Sequence, residues 1–183
     1  MTQIGRALLT LAIALLIALP AHAFEGQDYL LGGKSGGTHK LALGARYHDE
    51  VKSVSGLPFE SGDLSWLLAY EYHEKIAFWQ LGVGYAPESN TDRDAKVITP
   101  QINLIFKDGI YRLGAGALQS YVDVDGNTDW TSLYWQMIAG IDVPLGLNAS
   151  IGIYGCYVFH RWDEITDASD NGLAGNLLLS WGF

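Results

Sequence analysis

The chain of 183 residues is long enough for one domain, and its 20 acidic against 11 basic side chains give a formal net charge of −9. Such a surface repels nucleic acid, and the single cysteine, Cys156, excludes an internal disulfide. Twenty-two glycines with only five prolines point to closely packed strands rather than a disordered tail.

Met1 to Ala23 carries one positive charge at Arg6, an apolar run from Ala7 to Leu19, Pro20 and the small-x-small triplet Ala21-His22-Ala23. This pattern predicts a secretory signal peptide, residues 1–23, cleaved before Phe24. Removing it makes the mature chain one unit more negative. A short segment, 24–37, then leads into the domain, 38–183. No later stretch has about 18 consecutive apolar residues, so no spanning helix is expected.

Eight segments alternate apolar with polar or small residues: Thr38–His48, Asp63–His73, Ile76–Ala86, Ala95–Phe106, Ile110–Val122, Thr131–Val143, Leu147–His160 and Gly172–Phe183. Each is long enough to cross a bilayer as a tilted strand. Tight connections at Glu74-Lys75, Lys107-Asp108-Gly109 and Pro144-Leu145-Gly146 alternate with longer ones at 49–62, 87–94, 123–130 and 161–171. Antiparallel neighbours with turns at one rim and loops at the other give this rhythm. Pro100 lies inside the fourth segment and cannot donate to a neighbour, which predicts a bulge or local kink there.

The two faces decide what surrounds these strands. One face carries residues such as Leu41, Leu43, Leu68, Leu81, Ile102, Met137, Ile153 and Phe159, with no charge between its ends. The other carries Lys40, Arg46, His48, Glu71, His73, Gln80, Gln101, Asn103, Arg112, Gln136, Asp142, Asn148 and Asn176. A soluble ligand-carrying barrel needs the polar face outside. Here charges belong inside, and apolar-face aromatics gather at both strand ends as two girdles. The final segment alternates Leu177, Leu179, Trp181 and Phe183 with small or polar residues.

The leader, the loop alternation and this terminal pattern resemble the small eight-stranded bacterial outer-membrane barrels of the OmpA/OmpX-like, opacity-type family. The resemblance implies an all-β, antiparallel, up-and-down transmembrane barrel, monomeric, exported to the bacterial outer membrane. It further implies that Leu177, Leu179, Trp181 and Phe183 form the signal read by the outer-membrane assembly machinery. Fold analogy does not carry function.

Four groups of residues are candidates for chemistry. Lys40, Glu71, Arg112 and Asp142 fall at one depth near the tight-turn rim, as either a charge-paired plug or a gate across a narrow pore. Inward glycines beside Phe78, Tyr134 and Tyr154 suit close packing, with a small ligand cavity as the other reading. The long connections and their flanks hold fourteen acids against four bases, a rim suited to divalent cations bridging lipopolysaccharide phosphates, or to a basic cell-surface partner. Within it, Asp123, Asp125, Asn127 and Asp129 have the alternate spacing of a calcium loop but lack its later glycine and acid; Asp-Gly-Asn also makes a simple turn. His160, Asp163 and Ser169 contain the parts of a lipid acyl hydrolase or acyltransferase triad. The His-x-Ser-Asn run of outer-membrane lipid A deacylases is absent, because Arg161-Trp162-Asp163 follows His160. No cofactor is called for, and a non-catalytic structural or surface-interaction role leads.

Overall fold

The computed structural model describes residues 38–49, 58–91, 95–146, 148–165 and 171–183. The signal peptide, segment 24–37 and Ser169 lie outside them. Ten strands form: β1 (Thr38–Asp49), β2 (Leu64–His73), β3 (Ala77–Ala86), β4 (Lys96–Asp108), β5 (Tyr111–Leu118), β6 (Tyr121–Val124), β7 (Asn127–Trp130), β8 (Tyr134–Gly146), β9 (Ala149–Phe159) and β10 (Gly172–Gly182). Each pairs antiparallel with its neighbours, in the order β3-β2-β1-β10-β9-β8-β5-β4, and β3 pairs with β4 to close the ring. The result is an eight-stranded barrel with no free edge in its wall.

The short β6–β7 hairpin continues two wall strands beyond the ring, where a plain loop was expected over 123–130. Val124 and Asn127 pair across Asp125 and Gly126, both at positive φ (52° and 82°). That geometry suits a two-residue primed turn, for which Asp-Gly is a favoured sequence. The predicted fifth strand is broken between β5 and β6 opposite Pro100. Gln101 pairs with Leu118 and Ile98 with Tyr121, so the register runs straight through without a bulge. Only Gln119 and Ser120 fall out of the regular pairing: the Gln119 N–H still donates to the Pro100 carbonyl at 3.2 Å, but Pro100 has no N–H to return. Pro100 therefore interrupts a neighbour's pairing and leaves its own strand in register with β3 at Val83.

The third tight turn also moves. Pro144 stays in β8 opposite Ser150, a register shift follows at Pro144–Gly146, and Gly146 pairs with Ala149. Asn148, read from sequence as inward-facing, is an exposed turn residue with φ 63°. Asparagine tolerates this left-handed conformation better than most residues.

Alternation sorts the side chains as the period-two pattern requires. Leu43 is 61% exposed, Leu68 55% and Leu177 51%, all on the outer wall. Inside, Leu67, Phe78, Ile105, Tyr154 and Leu178 are buried among small residues, filling a lumen of a size that side chains can fill. Fully burying such an apolar side chain is worth about 1.5–3 kcal/mol, so water is a poor solvent for this exterior. Tryptophans mark its rims: Trp79 and Trp181 toward the tight turns, Trp66, Trp130 and Trp162 toward the loops, all exposed. Phe159, read as outward-facing, is instead covered. The 3-10 turn Trp162–Glu164 folds back so that Trp162 meets Phe159 edge-on, with ring centroids 4.9 Å apart.

Glycines set the tightness of the wall. A Cβ on Gly116 would overlap the Asn103 Oδ1, and one on Gly152 would lie 2.5 Å from the Tyr154 hydroxyl. Large inward side chains thus occupy the space that neighbouring glycines leave, which supports close packing at these positions.

Candidate functional site

Near the tight-turn rim the four predicted lumen charges divide into separate assemblies. Arg112 Nη2 donates to Asp142 Oδ2 at 3.1 Å, across β5 and β8. Lys40 and Glu71 are direct register partners on β1 and β2, yet their polar atoms turn elsewhere. The Glu71 carboxylate accepts from His73 Nε2 at 2.8 Å and Gln80 Nε2 at 2.9 Å, while Lys40 Nζ reaches Ser150 Oγ at 3.5 Å. The Glu71–His73 pair is local to one strand, two residues apart on one face. His73 also stacks on Phe78 with centroids 4.3 Å apart, which fixes its ring.

From Glu71 a chain of carboxamides climbs the lumen. Gln136 Nε2 donates to Asn103 Oδ1 at 2.7 Å, Asn103 Nδ2 to Gln80 Oε1 at 2.9 Å, and Gln80 Nε2 to Glu71 Oε1. Every link donates toward the carboxylate. Aligned in one direction, such bonds polarise one another and favour negative charge at the acceptor end. Gln136 Nε2 and Arg46 Nη1 both donate to Gln101 Oε1, at 3.3 and 3.1 Å, so the network reaches across five strands from a buried arginine to a buried glutamate.

Above Arg46 sits an aromatic pair. His48 Nε2 is hydrogen-bonded to Ser65 Oγ at 3.0 Å, and its ring stacks on Phe59 at 3.7 Å with 12° between planes. Phe59 belongs to the β1–β2 loop and also packs on a small cluster of Ala86, Ala95 and Val97. Beside Arg46, Asn176 Nδ2 donates to the buried Cys156 Sγ at 3.3 Å. Buried side chains and their hydrogen bonds run through this lumen among the described residues.

The loop-rim candidates do not converge among the described residues. His160 is exposed, and its ring lies against Tyr134 at 5.3 Å. Asp163 is held by Arg161 in a bidentate pair, Nε to Oδ1 at 3.1 Å and Nη2 to Oδ2 at 2.8 Å. That pairing lowers the Asp163 pKa below the ordinary carboxylate value and engages both of its oxygens. On the β6–β7 hairpin, Asp123 pairs opposite Thr128 and Asp129 opposite Val122, so period two sends these two carboxylates to opposite faces. Asp123 Oδ1 accepts the Gly126 N–H and Asp129 Oδ1 the Trp130 N–H. Among the described residues no group of three or more His, Cys, Asp or Glu side chains is arranged to hold a metal ion.

Leu177, Leu179, Trp181 and Phe183 stand exposed on the outer side of β10 and its end. The backbone N–H of Phe183 donates to the His39 carbonyl at 3.0 Å, and His39 stacks on both Tyr70 and Phe183. His39 carried no signal in sequence beyond its place on the apolar face of β1. The directional amide chain was equally hidden, since alternation shows that Gln80, Asn103 and Gln136 face inward but not at what height they meet. Strand register supplies that height.

No family model matches the sequence, and no curated protein matches it. Among solved structures, the chain is similar to the crystal structure of Neisserial surface protein A (NspA), at 14% identity and a TM-score of 0.46, over 80% of this chain and 95% of that one. The closed eight-stranded antiparallel barrel rests on the chain's own pairing.

Proposed function

We propose that this protein is a non-catalytic barrel of the bacterial outer membrane, exported through its leader, whose closed body anchors acidic outward loops for contact at the cell surface. One observation carries the reading: the barrel is inverted, with large aliphatic side chains exposed on the wall and a hydrogen-bonded polar network within. Hydrocarbon satisfies such an exterior, and closure satisfies the backbone groups that hydrocarbon cannot. Adhesion and envelope integrity are the two roles the loops suit. Their excess of carboxylates favours divalent cations bridging to phosphorylated lipopolysaccharide headgroups, or a basic partner. The pairing of Asp163 with Arg161 rather than His160 favours this role over lipid acyl hydrolysis.

Heat treatment tests the barrel. The detergent-folded protein is expected to migrate differently on a denaturing gel before and after boiling, and identical mobility would count against a membrane barrel. Lipid mass spectrometry tests the chemistry. Cells with and without the protein should show the same acyl-chain profile; a change abolished by His160→Ala would establish the enzyme instead. Planar-bilayer recordings should show little conductance if the lumen is plugged.

A further inference from the structure

Charges inside the barrel lie at two levels, and only at the lower one is an arginine ion-paired among the described residues; the buried acid nearest the upper one, Asp63 opposite His48, accepts the Glu60 N–H at 2.8 Å. Toward the tight turns, Lys40 and Arg112 share their level with Glu71 and Asp142. Higher up, Arg46 stands 5% exposed with no carboxylate partner among the described residues. Its cross-strand partners are Asn176 on β10 and Ser65 on β2, both neutral, and its guanidinium makes one side-chain hydrogen bond, to Gln101.

A cation taken out of water without a counter-charge is strongly disfavoured. The surrounding polar atoms show the same deficit. Arg46 Nε and Gln101 Nε2 are buried donors without a protein acceptor, and Gln136 Oε1 and Asn176 Oδ1 are buried acceptors without a protein donor. All four belong to Arg46 itself, its hydrogen-bond partner, that partner's other donor, and its cross-strand neighbour. Native interiors leave few such atoms unmatched, and clustered ones call for a ligand or ordered water.

We propose that the upper lumen is a buried site for a small monovalent inorganic anion of the halide class, held by the Arg46 guanidinium and the Gln101 carboxamide. The anion supplies the missing negative charge and accepts from both idle donors. Water associated with it donates to Gln136 and Asn176. Its size is limited by Leu67 and Leu178 below and by the Phe59–His48 stack above. The acidic rim selects against polyanions, which the loops repel more strongly than a single charge. The site lies beyond the surface role proposed above and does not depend on it.

Thermal unfolding of the detergent-folded barrel tests the site, comparing sodium chloride and bromide with sodium gluconate at matched ionic strength. The midpoint of the native protein is expected to climb with halide concentration, and above the dissociation constant to keep rising in proportion to its logarithm, as linkage to a native-state ligand requires. Arg46→Gln should show no halide response, so the stability difference between the two proteins should move in favour of the native one as halide is added. A native midpoint indifferent to halide, or the same response in Arg46→Gln, overturns the site. Should Arg46→Gln not fold, crystals of the native protein grown in bromide give a second reading. An anomalous peak beside Arg46 supports the site, and density free of one there refutes it. Boiling-dependent gel mobility reports the barrel separately, so loss of the anion site and loss of the membrane-barrel reading are distinguishable.

Discussion

Glu71 stands at the acceptor end of a chain in which Gln80, Asn103 and Gln136 all donate downward. Glu71→Ala removes that terminus, leaves the His73 and Gln80 donors buried without an acceptor, and is expected to cost about 1–3 kcal/mol. Urea unfolding of the detergent-folded protein measures the loss. Glu71→Gln keeps the shape but offers Gln80 a neutral acceptor, so its cost should be smaller. Overpacking acts from the other direction. Gly116→Ala drives a methyl into the Asn103 side chain and the Ile102 carbonyl, with an expected penalty of about 1–3 kcal/mol in the same assay. At the rim, Asp163 should titrate below the ordinary carboxylate range and return to it in Arg161→Ala, as carboxyl chemical shifts will report. The sign follows from the depressed value: the pair contributes above the ordinary carboxylate pKa and fades as pH falls through the lowered one. Alternation made the inward residues legible in sequence, Glu71 and Arg46 included. Their partners were not, because Lys40 and Glu71 share a register position yet bond to Ser150 and His73, a choice made by side-chain reach.

Among the elements, the β6–β7 hairpin depends on its turn. Gly126 holds φ at 82°, where a β-branched residue is strained, so Gly126→Val should loosen this hairpin alone. Hydrogen exchange should then rise at Tyr121–Val124 and Asn127–Trp130 while β5 and β8 stay protected. The Asp-Gly pair was visible in sequence as a turn. The strands around it were not, because Asn127–Trp130 has no period-two hydrophobic signal and pairs only as an extension of an existing wall. Pro100 is the reverse case. Its missing N–H was evident, but the consequence fell on Gln119 and Ser120 of the facing segment. Likewise Pro144-Leu145-Gly146 has turn composition, yet the chain continues in β8 and turns after Gly146. Proline and glycine reveal where the backbone is irregular; the partner strand decides whether it reverses.

At the scale of the molecule, inversion of polarity governs stability. Leu43 lies mid-strand opposite Leu68 and Leu179, and Leu43→Arg should cost about 2–4 kcal/mol if this level is the bilayer midplane. Urea titration of the variant folded into phospholipid vesicles measures it, and Leu67→Met, inward on β2, supplies a volume-conserving comparison expected to cost less than about 1.5 kcal/mol. Strand number and the assignment of faces were readable from residues alone, because each loop–turn alternation fixes direction and each period-two run fixes a side. The loop rim was less readable. Trp162 returning onto Phe159 is a tertiary contact between a loop and a wall, and no local periodicity encodes it.

Trp66, Trp79, Trp130, Trp162 and Trp181 stand exposed at the rims, and none of the six indoles in the chain belongs to the buried lumen cluster. Intrinsic emission therefore serves as a built-in depth gauge. Spin-labelled phospholipids should quench it strongly when the nitroxide rides near the glycerol backbone and weakly when it sits at the acyl terminus, with no engineered fluorophore required.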